Sequence, residues 1–247
     1  MRMHTWLDGR VAWGRVRTGR DSQREVEPLR CTPRRLRQWA TWLVVPGIAA
    51  VGCAAPQFTY VADSPAKTYF KVPYRWHKIS DSSLAAQLKT NGFSTGTGLW
   101  DAGYDASGIP SAEHVLSASA TKPFALAFVA PLGRAASNAM SYNLLRDFIL
   151  PVTAAQRRAA ASRGFPLIKF QLLSDSVITP GSGVHGIREV FSYTYPDGDT
   201  DTFDQVALTN SNSTMVYLLL VHCLATCYSK NTSQIDTVMT SFTVRSP

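Results

Sequence analysis

Between residues 166 and 223 the chain passes through four segments of strand-type composition separated only by turn residues, and this spacing limits the possible folds more than anything else in it. The segments are 166–177, 184–195, 202–209 and 214–223. Pro196-Asp197-Gly198 supplies one turn and Asn210-Ser211-Asn212-Ser213 another, with glycine free to take positive φ. Links this short cannot make a parallel crossover, which takes a dozen residues or more, so neighbouring strands must be antiparallel. Residues 215–221 are apolar at every position. A strand with one wet face alternates apolar and polar residues, so this one belongs at the centre of a sheet covered on both faces.

Helices must supply that cover. Residues 82–90 read as a short helix. Residues 137–150 place Met140, Leu144, Leu145 and Phe148 at helical spacing before Pro151. Thr153 and Gln156 have the spacing of a capping box, and the helix it opens should close at Gly164. Ile235, Val238, Met239 and Phe242 form a stripe on a last helix, with Asn231 and Gln234 at cap spacing. Residues 70–73, ended by Pro73, and the apolar run 124–129 read as further strands. Residues 91–116, rich in Gly, Ser and Asp, read as irregular. The expected class is α+β: a mainly antiparallel sheet with helices on both faces.

The net charge of +8 suggests an anionic partner until it is located. Residues 1–38 hold ten Arg, no Lys and four acids, a net of +6; residues 39–247 hold fifteen Lys and Arg against thirteen acids, a net of +2. A nucleic-acid-binding domain carries its basic stripe on the folded part, and here the excess sits in the head, which excludes that class. Arg34, Arg35 and Arg37 precede the uncharged stretch 39–52, and small residues close it. A positive flank, a short apolar run and small residues make an export signal. Broken by Pro46-Gly47, the run falls short of the ~20 apolar residues of a spanning helix.

Ala50-Val51-Gly52-Cys53 then resembles a bacterial lipobox, with Ala50 where Leu is usual. The resemblance implies that Cys53 is diacylated, that the chain is cut before it, and that two or more acyl chains hold it on the outer face of a membrane. An uncleaved anchor and plain secretion are the competing readings. The long basic head points to a translation start downstream of Met1. The expected organisation is 1–52 signal, 53–66 tether and 67–247 one domain.

Two further stretches carry a family resemblance. "TYFKVPYRWHKI" resembles the strand-proline-tryptophan opening of PsbP-like domains, and "VYLLLVHCLATCYSKNTSQIDTVMTSFTV" resembles their close, a buried strand, a loop and a helix. The resemblance implies an antiparallel sheet sandwiched by helices, as also in Mog-type Ran-binding proteins, and points to lipid-anchored bacterial members. It carries over no metal-binding or docking residue.

Candidate chemistry is sparse. Cys223 and Cys227 form Cys-x3-Cys, which in an exported protein reads as a disulfide. Free thiols and a metal site with His222 are the alternatives. Adjacent strand residues point to opposite faces, which sets His222 against Cys223 as joint ligands. His185, near Arg188 and Glu189, and His114, beside Glu113, are candidate general bases or exposed polar residues. Asp197, Asp199, Asp201 and Asp204 crowd one turn, where carboxylates can hold Ca²⁺ or simply be solvated. "GSGVHG" at 181–186 lies between two strands and is no nucleophile elbow. Trp76 reads as core, whereas Trp100 and Tyr104, near Phe93 in polar surroundings, are the candidate ligand-binding pair. No catalytic residue, metal ligand or cofactor is assigned. The expected function is a non-enzymatic envelope protein that binds a protein partner or small ligand; the alternatives are a hydrolase using His185 or His114, or a scaffold with no pocket.

Overall fold

Strand β9 (Met215–Leu224) sits inside a seven-stranded antiparallel sheet in a computed structural model that describes residues 56–92, 100–118, 120–181 and 183–245. The order across the sheet is β3 (His77–Lys78), β4 (Trp100–Asp105), β5 (Phe124–Pro131), β9, β8 (Thr200–Thr209), β7 (Val184–Thr194), β6 (Ile168–Gly181). Leu218 faces Phe128 of β5 on one side and Ala207 of β8 on the other. Alternate residues of β9 feed two separate cores. Tyr217, Leu219 and Val221 join Ile235, Val238 and Met239 of α5 (Ala225–Thr240). Val216, Leu218 and Leu220 join Leu84 and Leu88 of α1 (Asp81–Thr90), Leu145 of α3 (Tyr142–Arg146), and Leu150. Each such Leu, fully buried, contributes roughly 1.5–3 kcal/mol, which is why the run is apolar throughout.

The cover on the α5 face is not all helical. β1 (Phe58–Asp63), β2 (Thr68–Pro73) and β10 (Thr243–Val244) form a second antiparallel sheet, in the order β1-β2-β10. Val61, Phe70, Val72 and Val244 pack into the same core as α5. The segment expected to be a tether, 53–66, therefore contains a strand, β1. β4 likewise lies inside the segment expected to be irregular; Gly103 leaves room for Leu84, whose methyl carbons lie 3.1 and 3.3 Å from where a Cβ would stand.

The helix expected over 137–150 is two helices, α2 (Arg134–Asn138) and α3. Ser141, extended at φ −155°, accepts a hydrogen bond from Leu144 N at 3.2 Å and starts a new helix. Asp147 ends α3 and turns the chain: its carboxylate accepts from Val152 N at 2.8 Å and from Thr153 N and Oγ1 at 2.7 Å. Thr153 then caps α4 (Ala154–Ala161) through Gln156 N, and Gly164 at φ +75° closes it. α5 starts at Ala225, directly after β9, so Asn231 is an interior residue bonded to Cys227 O and not a cap. No helix among the described residues is long and apolar enough to cross a membrane.

β6 is the uncovered edge. Among the described residues it pairs with β7 alone, and its fourteen residues are exposed or half-buried along the whole length. Three register shifts interrupt its pairing with β7. At the other end of the sheet β3 has two residues. Within β7, Gly186 lies so close to β8 that a Cβ would stand 2.0 Å from Ala207 O and 2.8 Å from Leu208 Cα. Backbone cannot yield as a side chain can, so Gly186→Ala should destabilise by about 1–3 kcal/mol. Urea unfolding checks this; an unchanged midpoint contradicts the close approach.

Candidate functional site

A cleft of about 540 Å³ opens between α1 and the loop 110–113. Ser80, Ser83, Gln87 and Thr90 line one wall and Ser111 and Glu113 the other. Ser80 is the N-cap of α1, and Asp81 in the first turn meets Lys78 at 3.1 Å. A second hollow, about 380 Å³, lies between Phe58 and Pro73 and the outer face of α5. Both are shallow, and the cleft beside α1 is the more polar of the two.

Asp105, at the end of β4, shapes the far wall of the cleft. Its buried carboxylate accepts from Ser107 N at 2.8 Å, Ser107 Oγ at 2.9 Å, Ser111 N at 3.0 Å and His114 Nδ1 at 2.6 Å. Burial pushes this carboxyl up, but the Ser107 and Ser111 amides, the His114 ring and the Ser107 hydroxyl together outweigh it and hold it below its usual value. His114 is thus a strut of the loop, turned to a carboxylate.

Three polar groups cross the sheet interior. His222 Nδ1 meets Asp201 Oδ2 at 2.9 Å, both fully buried, while Leu116 N donates to Nε2 at 3.0 Å. The amide at Nε2 places the ring proton on Nδ1. His222 also stacks on Phe203 at 5.4 Å. On the α5 face, Arg188 grips Asp204 with two nitrogens at 3.1 and 2.9 Å and reaches Asp236 of α5 at 2.9 Å, and Tyr228 donates to Asp204 at 3.1 Å. On the other face, Gln205 donates to Glu189. Asp201, His222, Asp204, Glu189 and Gln205 have no exposed surface, and these groups tie layers together.

Most sequence candidates are placed elsewhere than expected. Tyr104 is buried with its ring 6.0 Å from that of Phe70, and half-buried Trp100 packs on the same ring at 6.1 Å. Burial, with Asp81 nearby, pushes the Tyr104 phenol up to about 12. The pair belongs to the core and lines neither hollow, because β4 runs through the segment read as loop. His185 packs edge-on to Tyr142 at 6.1 Å, while its expected helpers go elsewhere: Glu189 to Gln205 and Arg188 to Asp204 and Asp236. The four aspartates are parted by strand alternation: Asp201 faces His222, Asp204 faces Arg188, and Asp197 caps Asp199 N in the turn. Among the described residues no group of His, Cys, Asp and Glu could hold a metal ion. Cys223 and Cys227 are joined by a disulfide with Cα atoms 5.9 Å apart, linking the end of β9 to the first turn of α5. Cys53, Phe93 and Ser182 lie outside the described residues. Sequence reasoning passed over Asp105, Asp147 and Gln205. The Asp105-x-Ser107 spacing of an Asx turn was the one available signal; Gln205 gave none.

Comparison with known proteins adds fold-level likeness only. No family model and no curated protein matches the chain. Among solved structures, the cyanobacterial PsbP of Synechocystis is similar with a TM-score of 0.48 and 12% identity, over 78% of this chain and 95% of that one. The Ran-binding protein Mog1p of Saccharomyces cerevisiae gives 0.41 and 9%, over 76% and 96%. LpqN of Mycobacterium tuberculosis, involved in cell envelope biogenesis, gives 0.42 and 15%, over 76% and 90%.

Asp105 allows a pH test. Its carboxyl is lowered in the fold, so the stability it contributes is present above the unfolded value, near 3.8, and is lost as pH falls through the folded one. Asp105→Asn should cost roughly 2–3 kcal/mol at pH 7. The difference from wild type should shrink below pH 4; a gap that stays constant from pH 7 to pH 3 contradicts the assignment.

Proposed function

We propose that this chain is a lipid-anchored protein of the oxidising side of a membrane, whose folded body binds a protein partner and carries out no chemistry of its own. The observation that carries this reading is β6. Among the described residues one ladder of its backbone groups has no partner strand, and although Phe170 and Ile178 lean on the cores and Asp175 meets Arg146, Ile168, Leu172, Leu173 and Val177 are 47–53% exposed. Such an edge takes an added strand: main-chain hydrogen bonds supply affinity, and alternate side chains supply selection. Lys169, Asp175, Pro180 and the three register shifts discourage indiscriminate stacking of identical edges. The occupant that fits is an extended segment of another envelope protein, apolar at alternate positions and acidic opposite Lys169.

Two features support the compartment. The Ala50-Val51-Gly52-Cys53 sequence resembles a lipobox, and the Cys223–Cys227 disulfide suits an oxidising environment. The cleft beside α1 favours a second reading, a small polar ligand held by hydroxyls and amides. The hydrolase alternative has in its favour the Asp105–His114 pair alone, and that pair is used to hold a loop.

Cys53→Ser should abolish lipid labelling and release the protein from membranes; unchanged mass and unchanged membrane retention would sink the anchor. Leu172→Asp with Val177→Asp should leave the fold intact, because both side chains are half-exposed, and should remove the partner cross-linked to β6 in membranes. Identical cross-linking by wild type and the double variant would rule out the edge and leave the cleft as the binding site.

A further inference from the structure

Glu189 on β7 and Gln205 on β8 are direct cross-strand partners, both with no exposed surface. Gln205 Nε2 donates to Glu189 Oε1 at 3.1 Å. The same nitrogen reaches the last carbonyls of α3, Leu145 O at 3.0 Å and Arg146 O at 3.4 Å. Two buried oxygens are then left with no donor, Glu189 Oε2 and Gln205 Oε1. They belong to the two groups already joined. An ionised carboxyl leaves both as orphan acceptors, each at about 1–3 kcal/mol. A single proton on Oε2 would turn it into a donor, and Gln205 Oε1 is the orphan acceptor on the group already joined to it.

We propose that Glu189 is a neutral carboxylic acid in the native protein, donating Oε2–H to Gln205 Oε1, and that this acid–amide rung is a proton-operated latch holding α3 to the sheet. The groups around it agree. Asp175 from β6 and Asp147 after α3 oppose a further negative charge there. Arg146 at the end of α3 favours one, but Asp175 occupies it, through Nε at 3.1 and 3.2 Å and Nη2 at 3.0 Å. Arg188, next on β7, points to the opposite face and is taken by Asp204 and Asp236. Burial above all, and then Asp175, pushes the Glu189 carboxyl up to about 8. When the proton leaves, the carboxylate competes with Leu145 O and Arg146 O for the two N–H bonds of Gln205, and α3 loses its hold. The change reaches β6 through the Arg146–Asp175 bridge. The latch does not depend on what binds β6.

The carboxyl is raised in the fold, so its contribution to stability is complete below the unfolded value, near 4.5. It declines as pH rises toward 8 and is flat beyond. The full chain has four glutamates, Glu25, Glu27, Glu113 and Glu189, so a carbon-13 NMR titration of labelled glutamate carboxyls is resolvable. One carboxyl should remain protonated at pH 6, titrate near pH 8 and be absent from Glu189→Gln. In the amide variant the rung survives without a titrating proton, so its unfolding constant relative to wild type should fall by about tenfold per pH unit between pH 5 and 8. Hydrogen exchange of α3 amides should accelerate through pH 8 in wild type beyond the ordinary base-catalysed trend, and should not do so in the variant. Should Glu189→Gln fail to fold, Glu113→Gln, at a residue on the exposed loop, assigns the remaining resonances. All carboxyls ionised at pH 6, or parallel pH profiles for wild type and Glu189→Gln, would overturn the proposal.

Discussion

The strict alternation of side chains along β9 is the constraint from which the other layers follow. Its odd positions, Tyr217, Leu219 and Val221, build one core, and its even positions, Val216, Leu218 and Leu220, build the other. A shift of one residue in its pairing with β5 or β8 would exchange the two sets and set each against the wrong layer. At the end of the run the same alternation sends His222 toward Asp201 and Cys223 toward Cys227. Register, two cores, a buried polar pair and a disulfide all depend on one ten-residue strand.

The interior polar groups follow a common pattern. Each joins a strand to something laid over it or beside it: Arg188 and Asp204 to α5 through Asp236 and Tyr228, Gln205 to the end of α3, His222 to the loop at Leu116. Buried charges are costly unless paired, and these pairs are geometrically specific. They fix how helices and loops sit on a sheet whose apolar surface alone would tolerate sliding. Leu116, at φ +54°, is held in an uncommon backbone conformation while its amide points at His222.

Where the chain's own periodicity is strong, the fold was legible. The strands between 166 and 223, the antiparallel pairing, the helix carrying Ile235, Val238 and Met239, and the Thr153 cap all follow from spacing and turn chemistry, although Phe242, expected on the same helix, lies just beyond its end at Thr240. Where order comes from distant partners, it was not. β4 carries Asp101, Gly103 and Asp105 and has little strand character of its own; β5 and the methyl groups of Leu84 make it a strand. β1 pairs with β2 across a tight turn, and its one buried residue, Val61, leaves almost no apolar trace. Trp100 and Tyr104 likewise look isolated among small polar residues until Phe70 arrives from β2, whereas the Cys223–Cys227 disulfide could be read from its spacing. Glu189 and Gln205 are sixteen positions apart, and only the register of β7 against β8 makes them one group.

β1 also decides how such a protein would stand on a membrane. With a fourteen-residue leash the body would wander several nanometres from its lipid. Phe58, the first residue of β1, stands only five peptide steps from Cys53, so a lipid carried on that cysteine could lie no farther from the strand than roughly 16–18 Å. An anchored molecule would ride low, with the β1-β2-β10 sheet held near the headgroups. Its freedom would be mainly rotational, a swivel about a short stem, which limits which neighbours in the same leaflet the far edge of the large sheet can meet.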